Sequence, residues 1–313
     1  MTDVKRRYLM WSISAATVAA FCPPSFARQS ADAALHARLD SLVNNFHGVA
    51  GVYVQNLKTG MTAAVNADTL FPTASMIKVS ILCGLFDRIE RGELKYDKDV
   101  LMLDSLRYVG GAGVAQFFRD STRIPLAELA WLMIAISDNS AALWCQQLAG
   151  GGPAINDWLE RNGFRELRVN SRTPGREANR EVFGWGQSTP REMARLFTLI
   201  RDEKAVSQDA SEEMYRVMSK TYWDTEALYQ FPPTVKAAAK SGAVDDAKSE
   251  TVLVNAPSGD YVFCVMTKNQ KDQRWEHDNE GYVLIRKISR LLWETFEPES
   301  KWSPPAAMDR WMK

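Results

Sequence analysis

Strand-like runs occupy two separate stretches of this chain, one near each end, and a long helical region lies between them. Residues 48–56 read as a strand, Lys58-Thr59-Gly60 turns the chain, and residues 61–66 return as the second arm of a hairpin. Near the other end, residues 235–241, 250–254 and 261–267 are three further strand-like runs. From about residue 97 to 188 the pattern is helical and loop-rich, broken at 110–113 and at Gly150-Gly151-Gly152. Helical spacing also marks residues 31–46 and 282–295. Strands on both sides of a helical block share one sheet only when the two chain ends come together. The expected fold class is therefore α/β (α+β), a sheet built from both ends and flanked by helices, with an inserted helical part. In domain terms, residues 28–96 and 189–297 form the α/β domain and 97–188 the inserted all-helical domain. Residues 298–313 are a tail to which the sequence assigns no role.

The 38 basic and 38 acidic residues balance, so charge gives no reason to expect a nucleic-acid or anionic-membrane partner. Lys5, Arg6 and Arg7 precede an apolar run over residues 8–21, and Ser25-Phe26-Ala27 offers small residues for cleavage. That is the pattern of a signal peptide over residues 1–27, with an apolar run too short to span a bilayer. An exported, periplasmic or secreted bacterial protein is expected, monomeric and without membrane attachment after cleavage. The mature part keeps Cys83, Cys145 and Cys264, an odd number that leaves at least one thiol free. Two fall in helical stretches and one in an apolar strand, the setting of buried, inert thiols; a Cys83–Cys145 disulfide is the alternative.

Chemistry enters at Thr73-Ala74-Ser75-Met76-Ile77-Lys78. Apolar residues at 77, 81, 82, 85 and 89 predict a helix that begins here, with Gly92 closing it. Three residues make nearly one turn, so Ser75 and Lys78 share a face. A serine becomes a strong nucleophile only beside a base, and a lysine is a base only where burial or nearby cations keep it neutral. Within the helical block, Ser137-Asp138-Asn139 separates two apolar helices, where Asp138 or Asn139 is suited to capping the second. Lys240-Ser241-Gly242-Ala243 ends a strand of small residues, and Gly242 would let a ligand approach the backbone. Each piece alone is ordinary.

Together, in this order and 62 and 103 residues apart, Ser-x-x-Lys, Ser-Asp-Asn and Lys-Ser-Gly resemble the three signature motifs of class A β-lactamases and penicillin-binding proteins. The resemblance covers about residues 31–295. It implies the β-lactamase/transpeptidase-like fold, an antiparallel five-stranded sheet with helices, and a cofactor-free serine hydrolase without a metal. It further implies Ser75 as nucleophile, Lys78 as proton acceptor or relay, and Ser137 as proton donor to the leaving nitrogen. Asn139 would bind the substrate amide, Lys240 and Ser241 its carboxylate, and the N–H groups of Ser75 and Ala243 the oxyanion. The implied substrate is a small β-lactam or a peptide-like molecule. The leading activity is β-lactam hydrolysis through an acyl-enzyme. The alternatives are a D,D-peptidase, amidase or esterase, or a penicillin-binding or sensing protein that deacylates slowly.

One part of the pattern is missing. Class A enzymes carry Glu-x-x-Leu-Asn in an omega loop, where the glutamate activates the deacylating water. Counting back from Pro190 without gaps places Thr173 there, and Glu177 takes the role only in a compressed loop. Thr189-Pro190-Arg191-Glu192 reads as a capping box with proline at the first helical position. The chain has three histidines, no Gly-x-Ser-x-Gly, no His-Glu-x-x-His and no Cys-x-x-Cys, so a histidine-based triad or a metal site finds no pattern to rest on.

Overall fold

The computed structural model describes residues 25–312, so the predicted leader lies almost entirely outside the described residues. Helix α1 (Ser25–Asn44) leads into β1 (Val49–Asn56), β2 (Thr62–Val65) and the short β3 (Phe71–Pro72). A 3₁₀ turn (Ala74–Ile77) then opens α2 (Lys78–Glu90). The middle of the chain holds β4 (Asp99–Leu101), β5 (Arg123–Pro125), α3 (Leu126–Ala135), α4 (Asn139–Leu148) and α5 (Gly151–Arg161). It continues through β6 (Arg168–Val169), α6 (Glu177–Phe183) and β7 (Gly186–Ser188) into α7 (Pro190–Arg201) and α8 (Gln208–Met218). The chain returns through β8 (Ala237–Val244), β9 (Ala247–Val254) and β10 (Tyr261–Lys268) to α9 (Glu280–Phe296).

The sheet is five-stranded and antiparallel, in the order β2-β1-β10-β9-β8, with the first and last parts of the chain joined where Val52 faces Val265. Strands β1, β9 and β10 are buried along nearly their whole length because both sides of the sheet are covered. Val52, Val252, Phe263 and Val265 pack with Leu39, Ile285, Ile288 and Leu292 of α1 and α9. On the other side Ala238, Leu253, Cys264 and Met266 share a core with α2, α3, α4, α5 and α7. Helix α2 runs through that core and is buried from Lys78 to Phe86, which is why it is apolar nearly all round. Cys83, Cys145 and Cys264 are buried free thiols, as their apolar settings suggest, and burial pushes all three upward in pKa.

Two local expectations change. Thr189 does cap α7, its hydroxyl accepting from Glu192 N at 3.2 Å, but Glu192 does not reach back to complete the box. Its carboxylate instead accepts from the N–H groups of Arg165, Glu166 and Leu167, which the preceding loop leaves without backbone partners. The tail docks on the body: Trp311 stacks on His277 with ring centroids 4.2 Å apart, and Trp302 packs against the core under α1 and α9. Among the described residues no helix is long and apolar enough to cross a membrane.

Candidate active site

Ser75 sits in the 3₁₀ turn rather than in the first turn of α2. The non-glycine Ala74 before it has a positive φ of 42°, a strained conformation of the kind found at functional sites. Lys78 heads α2, wholly buried, with Nζ 3.0 Å from Ser75 Oγ. The same nitrogen lies 2.6 Å from Ser137 O, 3.1 Å from Ser137 Oγ and 2.8 Å from Asn139 Oδ1. Burial holds the Lys78 amine well below its ordinary pKa, the Lys240 cation depresses it further, and Asp138 opposes them. A neutral amine satisfies this setting. Two N–H groups donate to Ser137 O and Asn139 Oδ1, and the lone pair can accept from the Ser75 hydroxyl or, in alternation, from that of Ser137.

Asp138 builds the opposite wall. As N-cap of α4 it accepts from Ala141 N at 2.8 Å, and its second oxygen accepts from Ala115 N at 2.7 Å. That ties the loop before α3 to the start of α4 and fixes Ser137, another non-glycine with positive φ (60°). Lys240, from β8, donates to Ser137 Oγ at 3.1 Å and to Ser241 O at 2.8 Å. Burial lowers its pKa to about 7, with Glu250 opposing. Ser75, Lys78, Ser137 and Lys240 thus form one hydrogen-bonded chain, a path along which a proton can pass.

Gly242 has a purpose other than the one expected. A Cβ there would stand 2.4 Å from Thr73 O and 2.9 Å from Ser75 N, so glycine lets β8 lie against the turn that carries Ser75. Ser75, Asn139 and Ala243 line a cleft of about 520 Å³. Its other walls include Tyr108, the end of α6 (Glu181, Val182, Phe183), Trp185 and Asp246.

Neither omega-loop candidate lines that cleft. Thr173 is buried, its hydroxyl donating to Ser171 O at 3.0 Å. Glu177 is exposed at the start of α6, where its carboxylate accepts from Gly175 N at 3.1 Å. The loop is fastened by Arg176, which donates to Asn170 Oδ1 at 2.6 Å and Gln187 Oε1 at 2.7 Å. Glu181, Trp185, Tyr108 and Asp246 escaped the sequence reading; the one signal for them was a tryptophan framed by Gly184 and Gly186.

Residues 34–296 match the profile of the Beta-lactamase enzyme family. A β-lactamase from Bacteroides uniformis is 24% identical over 295 residues, covering 87% of this chain and 95% of the relative. Among solved structures, a point mutant of PBP-A, described as an acyl-enzyme complex with penicillin G, is 26% identical with a TM-score of 0.76, covering 85% of this chain and 97% of the other. A β-lactamase from Sphaerobacter thermophilus shares the fold at a TM-score of 0.74 and 23% identity, covering 88% of this chain and 99% of that one. With most of its length inside the profile, this chain belongs to the β-lactamase enzyme family.

Proposed function

We propose that this chain, a serine hydrolase of the β-lactamase family, opens β-lactam amides through an ester on Ser75. The observation that carries the reading is a fully buried Lys78 with Nζ 3.0 Å from Ser75 Oγ and oxygen acceptors at its other contacts. Ser75 Oγ attacks the carbonyl carbon as its proton passes to Lys78 Nζ. When the C–N bond breaks, Ser137 Oγ, between the two lysines, hands a proton to the leaving nitrogen and is resupplied from Lys78. The N–H groups of Ser75 and Ala243 receive the oxyanion. Asn139, its Oδ1 engaged by Lys78, offers Nδ2 to the substrate amide. Lys240 and Ser241 hold the substrate carboxylate, and Gly242 keeps β8 close to the nucleophile. The same proposal includes export, a monomeric state, and the division into an α/β part (28–96, 189–297) and an inserted helical part (97–188).

A second reading concerns release, and a specific observation favours it. Thr173 and Glu177 are turned to other partners, and Glu181 and Asp246 are the carboxylates that line the cleft among the described residues. Neither is hydrogen-bonded to Ser75 or Lys78. A positioned general base is worth roughly a hundred- to ten-thousand-fold in such a step. Acylation should therefore outrun hydrolysis. A chromogenic cephalosporin and a fluorescent penicillin test both readings. A burst followed by slow turnover, with a persistent label, is the expected result. Rapid steady turnover refutes slow release, and absence of both label and turnover points to a peptidase or another acyl substrate.

A further inference from the structure

The segment Gly184-Trp185-Gly186 is built to hold one indole in place. Gly184 has φ 65° and ψ −136°, a conformation open essentially to glycine alone. At Gly186 a Cβ would stand 2.5 Å from Ile77 Cγ1 and 2.8 Å from Thr73 Oγ1, so only a bare backbone fits against the turn carrying Ser75. Trp185 O accepts from Asn170 N at 2.8 Å and Ser171 N at 3.0 Å, and Gly186 O accepts from Thr73 N at 2.9 Å. The backbone is therefore pinned on both sides of the indole. Its ring centroid lies 5.9 Å from Lys78 Nζ, and the Tyr108 ring meets it edge-on at 5.3 Å and 80°. The cleft is lined by Ser75, Asn139, Tyr108 and Trp185 but stops short of Lys78, which is wholly buried.

We propose that Trp185 is a positioning residue that roofs Lys78, sealing the amine from the water of the cleft so that it stays unprotonated for the attack by Ser75. The proposal rests on the reading of Ser75 as nucleophile and Lys78 as base. Two effects of an indole over an amine oppose each other. Its π face attracts the ammonium and favours protonation, while its bulk excludes the water that an ammonium needs. At 5.9 Å the attraction is near the outer limit of its range. Loss of hydration at a fully buried nitrogen is the larger effect. The charged groups that face Lys78 are Lys240 from β8 and Asp138 from the cap of α4, and replacing Trp185 leaves both in place.

The test is the pH profile of acylation by a chromogenic cephalosporin between pH 5 and 9, with intact-mass analysis to confirm the label. Trp185→Phe keeps an apolar roof and should match the wild type. Trp185→Gln admits water, and its acidic limb should move up by about one pH unit, a roughly tenfold slower reaction on the acidic side of the wild-type limb that recovers on the alkaline plateau. Trp185→Ala should move the limb at least as far. Limbs that coincide in all variants overturn the proposal, as does an equal loss at every pH, which would make Trp185 a substrate contact only. If a variant fails to fold by circular dichroism, the remaining substitution decides by the same criterion. Absence of any label on the wild type overturns the reading of Ser75 and this proposal together, whereas a label on Ser75 with an unmoved limb overturns this proposal alone.

Discussion

Glu250 sits wholly buried on β9, directly across from Ser241. One oxygen accepts from Ala227 N at 3.1 Å, and the other is buried without a hydrogen-bond partner among the described residues. An ionised carboxylate tolerates that poorly, a protonated one far better. Burial, and secondarily the neighbouring Glu226, raises its pKa from 4.5 to about 8, against the opposing Ala227 N–H, Lys240 and Arg286. The folded state thus holds the proton more tightly than the unfolded chain. The stability linked to this group is fully present below the unfolded value of 4.5 and is lost as pH rises through about 8. Each pH unit inside that window costs about 1.4 kcal/mol, so the loss between pH 5 and 7 is roughly 3 kcal/mol. Lys240, depressed to about 7, works in the opposite direction only above that pH, so the interval avoids it. Glu250→Gln removes the titration and keeps an acceptor for Ala227 N. Any cost of leaving its amide N–H groups without acceptors is the same at every pH, so the slope is the diagnostic quantity. Urea unfolding at pH 5, 6 and 7 should show the variant gaining on the wild type by about 3 kcal/mol across the series. Parallel curves would refute a protonated Glu250.

Lys78→Arg should be as inactive in acylation as Lys78→Ala, because a guanidinium stays charged and cannot accept the Ser75 proton; stopped-flow labelling at near wild-type rate by the arginine variant would remove Lys78 from that role. Lys240 is cationic below about 7 and loses its charge above it. Affinity for a carboxylate-bearing penicillin should therefore weaken by up to about tenfold per pH unit above 7, while an uncharged ester substrate shows no such trend. Equal profiles for the two substrates would contradict the assignment of Lys240 to the carboxylate.

The parts of the candidate site that were legible from sequence are those whose proposed chemistry is local. Ser75 and Lys78 lie within one turn, Ser137 and Asn139 flank one capping aspartate, and Lys240 precedes Ser241 on one strand. The sheet was legible because apolar runs at both ends had only each other to pair with. The 3₁₀ winding at Ser75 was hidden because periodicity does not distinguish it from the start of an α-helix. Trp185 was hidden because the role proposed for it depends on two backbone constraints and on an amine more than a hundred residues away in sequence. Glu250 gave no signal because a charged residue in a strand ordinarily points to solvent, and only the packing of α9 over β9 puts it inside. Gly242 shows the limit of a motif: the residue is present for the sake of packing that the motif does not describe.

Everything proposed for this site depends on Ser75 being the residue that becomes acylated. Benzylpenicillin mixed with the wild type and with Ser75→Ala, quenched in acid and analysed by intact mass and peptide mapping, tests it most directly. One penicilloyl adduct is expected on the wild type, mapped to the peptide containing Ser75, and none on the folded variant. An adduct on Ser75→Ala, or a wild-type adduct mapped to another residue, would contradict it.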